Sequence, residues 1–460
     1  MSEIGSTLKR ELGADRVFDD DETLAAHRVD YWILAHLRRR QGRLGPPPAC
    51  VVKPRSTAEV AKTIQLAQRH GTAVVPFGGG SGVVGGAVPP GGTIVLDTRD
   101  MNRLLELNEQ SLYARAEAGM MGPAYEAEIG AKGYTTGHYP QSIALSTVGG
   151  WVATRAAGQF STRYGNIEDL CLGLEVVRPS GEVVRLASFP RASVGPSLRD
   201  LFIGSEGILG VVTEVTFRVH PVPESRVATS FGFAGMREAL EASRRVLRAG
   251  WRPAVLRAYD ATEAHRHFHE DRCVLVALSE GPKTLVAAEM DAVRRECLGV
   301  GGIEIGDEPA KHWLEKRNEV PSWDFFIDRE MLADTIEVAV TWDRIDDLYD
   351  QVRTALAESP GVVLASGHSS HGYQQGTNIY FTFVMKPEDF SRAEEAYLTA
   401  WGNAMKATLA VGGTIAHHHG IGRLRAPFLA EELGSGYPLL RDLKRALDPK
   451  GIMNPGTLLA

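Results

Sequence analysis

The chain has 460 residues, of which 43% are hydrophobic and 23% charged, with a net charge of −7 and no long basic run. That length exceeds a single core and predicts two domains, and the charge balance argues against non-specific nucleic-acid binding. The four cysteines, Cys50, Cys171, Cys273 and Cys297, fit no CxxC spacing, so no disulfide framework is expected and a reducing, cytoplasmic setting is.

The N-terminus has no basic start followed by an apolar run, so no secretory signal is expected. No stretch reaches the ~18 uninterrupted apolar residues of a membrane span. Residues 1–45 read as helical and charged, and Pro46 to Pro48 break the chain. Cys50 to Val52 reads as a short strand. Ser56 to Gly71 has helical spacing, with Ser56 or Thr57 as N-cap and Gly71 as the stop. Ala73 to Pro76 and Thr93 to Asp97 read as strands flanking a glycine turn. Glu182 to Leu186 and Val211 to Val219 alternate as strands do. Composition shifts at Pro221 to Pro223, which predicts a domain boundary there. Met236 to Ala249 reads as a helix, a β and helix mixture continues to residue 435, and the turn-rich tail from 436 to 460 is expected to return to the first domain.

The turn from Pro76 to Gly86 carries six glycines in eleven residues. Glycine permits positive φ and lets backbone N–H groups approach a ligand. Successive N–H groups aimed into one concavity make an anion nest, and a diphosphate is the natural occupant. The run lacks the GK[ST] ending of a nucleoside triphosphatase and the frame of a Rossmann GxGxxG. Two further segments, Leu145 to Gly158 and Gly204 to Gly210, repeat the mixture of small residues, hydroxyls and glycines. Together they suggest one extended ligand lined by backbone. The second domain holds a run from His368 to Tyr380 and three consecutive histidines, His417, His418 and His419. Imidazole is a common metal ligand, but adjacent residues on a strand point to opposite faces, so all three cannot easily ligate one ion.

From residue 48 to 459 the chain resembles the FAD enzymes of the vanillyl-alcohol oxidase and p-cresol methylhydroxylase (PCMH) type. Within that group it is most similar to the alkylglycerone-phosphate (alkyldihydroxyacetonephosphate) synthases. The segments that carry the resemblance are Gly133 to His138, Ser146 to Trp151, Tyr164 to Asp169, Gly204 to Gly207 and His417 to Gly422. It implies an α+β, two-domain flavoprotein. A PCMH-type FAD-binding domain would span 1–222, including the N-terminal helical segment, and an α/β cap domain with an antiparallel sheet 223–435. It also implies that Pro76, Gly78, Gly79, Gly80, Ser81, Gly82, Ser146, Thr147, Gly149, Thr154, Gly158, Glu206 and Val212 hold FAD. Covalently flavinylated relatives carry a histidine in the glycine turn where this chain has Ser81, so a non-covalent flavin is expected.

Metal-dependent 2-hydroxyacid dehydrogenases of the same superfamily have Glu-His-Gly where this chain has His418-His419-Gly420, and Asn-x-His where it has Asn378-Ile379-Tyr380. No metal is therefore expected. In the synthases the tyrosine matching Tyr380 is the acid/base, supported by histidines matching His417 to His419. A phenol near an imidazole cluster can lose its proton near neutral pH. His371, Tyr373, Arg317 and Trp323 are expected at the substrate, and His138 is a candidate for approaching the flavin. The synthases bind the substrate phosphate with an arginine, but the matching stretch here, Val320 to Phe326, has none. A lost charge-assisted contact is worth ~1.5–3 kcal/mol. The expected activity is therefore an FAD-dependent oxidation of a small alcohol or 2-hydroxy acid at flavin N5. The electron acceptor would be oxygen, a quinone or a carrier protein, and a homodimer is compatible with the sequence. The alternative is a redox-neutral, synthase-like exchange of an acyl for an alkyl ether group.

Overall fold

The strand Gly376–Met385 shows how sequence alternation builds a site wall. Ile379, Phe381, Phe383 and Met385 are fully buried in a hydrophobic core. The period of two turns Tyr380, Thr382 and Val384 to the other face, where they line a cavity. The computed structural model, which describes Ser2–Leu459, places this strand in a seven-stranded sheet ordered 303–306, 225–233, 273–281, 255–259, 362–369, 376–385 and 332–341. Every pairing in it is antiparallel. The helices Met236–Arg248, Lys283–Leu298, Ile345–Ala357 and Ala393–Ala410 send their apolar stripes into the core face.

The first half of the chain forms the facing body. Cys50–Val52 and Val74–Phe77 both run parallel to Ile94–Asp97, which lies between them. The crossover helix Thr57–His70 begins where the Ser56 side chain accepts the Glu59 N–H and ends at Gly71, φ 64°, a left-handed position that suits a residue without Cβ. Five antiparallel strands follow, ordered 104–108, 113–117, 211–218, 171–177 and 183–186. His220–Pro221 pairs with Tyr134–Thr135, and the cap sheet begins at Ser225. At the other end of the chain, Tyr437, Leu440, Leu443 and Leu447 pack on the core of the five-stranded sheet, and Met453 bridges Val74. Among the described residues no helix is long and apolar enough to cross a membrane.

The N-terminal helical segment divides between the two bodies. Ile4 and Leu8 join the core beside Thr57–His70. Trp32, Ile33, Leu34 and Leu37 instead enter the core of the cap sheet, although the sequence reading groups them with the first domain. The Trp32 indole donates to the Tyr397 hydroxyl at 3.0 Å within that core. Leu34→Ala is therefore expected to destabilise the cap by about 2–5 kcal/mol, seen as a lower urea midpoint for its unfolding. An unchanged midpoint would place this helix outside the cap's cooperative unit.

Candidate active site

The three glycine-rich segments converge because their backbones approach more closely than side chains allow. A Cβ on Gly79 would lie 1.8 Å from the Leu145 carbonyl oxygen, and one on Gly78 2.5 Å from Thr147 Oγ1. Gly207, at φ +78°, packs against Pro76, where a Cβ would come within 2.8 Å of the ring. Between these segments and the polar face of the cap sheet lies a cavity of about 820 Å³. Its floor is formed by Pro76, Gly78, Gly79, Gly80, Ser81 and Gly82, with Ser146, Thr147, Gly149, Thr154, Glu206 and Val212. A long trough walled by backbone N–H groups and hydroxyls fits an extended dinucleotide diphosphate.

The opposite wall is made of titratable side chains. Tyr380 lies between two imidazoles, His368 at 4.9 Å and His418 at 5.9 Å between ring centroids, and meets His419 edge-on at 5.5 Å. The expectation that these imidazoles ease deprotonation of the phenol is corrected by the structure. Burial raises the Tyr380 pKa, and the Glu337 and Asp334 carboxylates add to the rise, against a hydrogen bond with Thr335. Burial likewise pushes His418 well below its ordinary value, so that ring brings no positive charge to the phenol. Tyr380 is thus held as a neutral donor and His418 as a neutral imidazole.

Beyond His368 stands a group to which the sequence reading gave no role. Arg257, on the face of its strand opposite Leu256 and Ala258, is buried and lines the cavity. Its Nη2 donates to His368 Nε2 at 2.7 Å and its Nε to the Tyr259 hydroxyl at 3.0 Å. The other nitrogen of His368 donates to Glu263 at 2.6 Å. Burial alone would raise the Glu263 carboxyl, but His368 and Arg266 bring it down to about 2. The Nη1 hydrogens of Arg257 have no partner among the described residues. Arg257 interrupts the apolar run Val255–Tyr259. A lone charge within a buried strand was the available signal.

Glu337 and Arg425 form a fully buried pair, with Nη1 to Oε1 at 2.7 Å and Nη2 to Oε2 at 2.5 Å. Burial would raise Glu337, yet the charges of Arg425 and His419 hold it well below the usual carboxylate range. The same carboxylate accepts the backbone N–H groups of His418 at 3.2 Å and His419 at 2.8 Å. From the other body Glu206 accepts the N–H groups of Ile421 at 2.7 Å and Gly422 at 2.8 Å, and burial pushes it up to about 7.

Of the remaining expected residues, Arg317, Trp323, His371, His418 and His419 line the cavity. Gly158, His417 and Tyr373 are not on its wall. The Gly158 carbonyl accepts His371 Nε2 at 3.0 Å and its N–H donates to Ser161 Oγ at 2.8 Å. Tyr373 is corrected as a substrate contact. Its N–H donates to the Gly376 carbonyl at 2.8 Å in the turn between two strands, which directs the hydroxyl onto His417 Nε2 at 2.7 Å. His138 lies under Trp151, 4.8 Å between centroids, away from the cavity, and burial pushes it down to about 3. The Trp323 indole donates to the Tyr31 carbonyl at 2.8 Å, a fixed apolar wall where the resemblance calls for an arginine. Arg329 stacks on Phe325 at 4.0 Å. Nitrogens of His371, His417 and His418 lie within 4.8 Å of one another. Both nitrogens of His371 and of His417 are already engaged in hydrogen bonds, which an ion would have to displace.

Comparison with known proteins agrees with an FAD-binding body and an oxidase cap. A family model described as an FAD binding domain matches residues 48–187, and one described as FAD linked oxidases, C-terminal domain, matches 222–458. The chain is 34% identical over 485 residues to the uncharacterized FAD-linked oxidoreductase YgcU of Escherichia coli (strain K12), covering 99% of this chain and 98% of that protein. It is 27% identical to the glycolate oxidase subunit GlcD of Bacillus subtilis, over 90% of this chain and 89% of GlcD. A solved alkyldihydroxyacetonephosphate synthase superposes with a TM-score of 0.83 at 27% identity, covering 99% of this chain and 86% of the synthase. The backbone trough from one model meets the polar sheet wall from the other, and this chain belongs to the FAD-linked oxidase family as an enzyme that uses FAD.

Proposed function

We propose that the protein oxidises a small 2-hydroxy acid or a related alcohol, with its FAD held non-covalently. The observation that carries this reading is the row formed by Arg257, His368, Tyr380 and His418 on one cavity wall. The free Nη1 edge of Arg257 suits a carboxylate, which accepts charge-assisted hydrogen bonds from a guanidinium fork. A hydroxyl on the adjacent carbon then falls toward Tyr380 and His418. The neutral phenol donates to the substrate oxygen and orients it. The neutral His418, whose Nε2 has no partner among the described residues, takes the hydroxyl proton. FAD, when bound, supplies the hydride acceptor. The electron acceptor that follows is oxygen, a quinone or a carrier protein. A specific observation also favours the redox-neutral transferase, namely the close superposition on the synthase. The fixed indole of Trp323 in place of the phosphate arginine weighs against it.

Anaerobic mixing of the yellow holoenzyme with a panel of 2-hydroxy acids and matched alcohols is expected to bleach the flavin, fastest with the acids. Turnover of acyl-dihydroxyacetone phosphate without net bleaching would overturn this in favour of the transferase. Arg257→Met is expected to raise KM for the hydroxy acid about 10- to 100-fold, the equivalent of one lost charge-assisted contact, while leaving KM for a neutral alcohol nearly unchanged. The flavin is expected to be released by acid precipitation, because Ser81 stands in the glycine turn and none of the four cysteines lines the cavity. Flavin retained on the denatured chain would refute the non-covalent reading.

A further inference from the structure

A chain of hydrogen bonds leads away from His418 on the side opposite the cavity. His418 Nδ1 and His417 Nδ1 are 2.8 Å apart, His417 Nε2 and the Tyr373 hydroxyl 2.7 Å, and Asn166 Nδ2 donates to that hydroxyl at 2.8 Å. Tyr373 and Asn166 do not line the cavity and are half-buried, and the neighbouring Gln374 and Gln375 are exposed. The chain therefore runs from the cavity to half-buried residues beside the exposed Gln374 and Gln375, by a route separate from the substrate space.

The link between the two Nδ1 atoms constrains every other proton in the chain. A neutral imidazole carries one N–H, so only one ring supplies the shared proton. If His418 supplies it, His418 Nε2 is a bare acceptor toward the cavity and His417 Nε2 donates to Tyr373. If His417 supplies it, Tyr373 donates to His417 Nε2 and His418 Nε2 carries hydrogen. The two states differ by the shift of one proton at each link.

We propose that His417 and Tyr373 form a proton relay that carries the substrate hydroxyl proton from His418 to solvent. This rests on the reading of His418 as the acceptor. In the step, the substrate O–H bond breaks and His418 Nε2–H forms. His418 Nδ1 passes its proton to His417 Nδ1, His417 Nε2 passes its own to the Tyr373 oxygen, and the original Tyr373 hydroxyl proton leaves to water. One proton enters, one leaves, and no residue keeps a charge. The chain is held rigidly. His371, with Nε2 on the Gly158 carbonyl and Nδ1 on Ser370, packs against His417 at 5.0 Å and His418 at 5.1 Å. Glu337 fixes the backbone of His418 and His419. The relay assigns His417 and Tyr373, which the substrate does not reach, a positioning and transfer role.

Two measurements on Tyr373→Phe holoenzyme decide this. In histidine-labelled protein without substrate, nitrogen NMR of the wild type is expected to show a low-field proton coupled to two imidazole nitrogens. The variant is expected to shift the tautomer balance of His418, two links away. His418 nitrogens that do not respond would overturn the relay. In anaerobic flavin reduction, the variant is expected to be slowed about tenfold, less than the ~10²–10⁴-fold for loss of an acid/base itself. The wild type is expected to give a curved proton inventory in mixed H2O and D2O. The variant is expected to give a linear one and to be rescued by imidazole buffer. Slowing with an unchanged inventory and no rescue would mark a merely structural role and overturn the proposal. If no hydroxy acid reduces the flavin, the functional reading fails while the NMR measurement still decides the relay.

Discussion

The buried ion pair between Glu337 and Arg425 is the constraint on which the active-site wall depends. Both side chains are fully shielded from water, a costly arrangement unless every polar atom finds a partner. Here the fork-to-fork contact pairs both Nη atoms with the carboxylate, and the N–H groups of His418 and His419 complete the carboxylate, while Arg425 Nε has no partner among the described residues. The strand that carries Glu337 pairs with the one carrying Tyr380, Glu337 directly opposite Tyr380. A single carboxylate therefore sets the distance between the phenol and the histidine loop. Removing either charge would leave the other buried and unpaired, and the loop would lose its anchor on the sheet.

The same loop is tied to the facing body. Glu206 accepts its N–H groups at Ile421 and Gly422, and the N–H groups of Arg423 and Leu424 reach the Val84 carbonyl at 2.9 Å and 3.2 Å within the glycine turn. Gly422, at φ +54°, leaves no room for a side chain, since a Cβ would lie 2.3 Å from that carbonyl. The loop is thus pinned from both sides, and the glycine-rich trough and the polar wall of the cavity share one spacer. Rigid placement of this kind is what proton transfer at hydrogen-bond distance requires.

Burial then determines the chemistry of the wall. Desolvation favours uncharged forms, so the imidazoles of His371, His417 and His418 are held neutral and the Tyr380 phenol keeps its proton. Full charges persist where a partner is within hydrogen-bond reach, at Glu263 beside His368 and at Glu337 beside Arg425. Neutral groups poised beside the Glu337–Arg425 ion pair can exchange a proton without the energetic penalty of creating an isolated buried charge.

The trough was legible in the sequence because its cause is local. Six glycines between Pro76 and Gly86 declare a backbone that must approach something closely, and the two later glycine-rich segments declare the same. The helix from Thr57 to His70, the strands around it and the FAD cofactor follow from such local patterns and from the family resemblance. What Tyr380 does could not be read that way. Its protonation depends on burial and on Asp334, Thr335 and Glu337 from another strand, brought together only by strand register. Arg257, Asn166 and the outward turn of Tyr373 were likewise hidden, since each acquires its meaning from a partner more than forty residues away. Sequence by itself determined that the chain cradles an extended ligand, because the cradle is built from backbone, and its family motifs made that ligand FAD. The tertiary structure alone decided how protons are placed around it, because that depends on which distant side chains share a buried space.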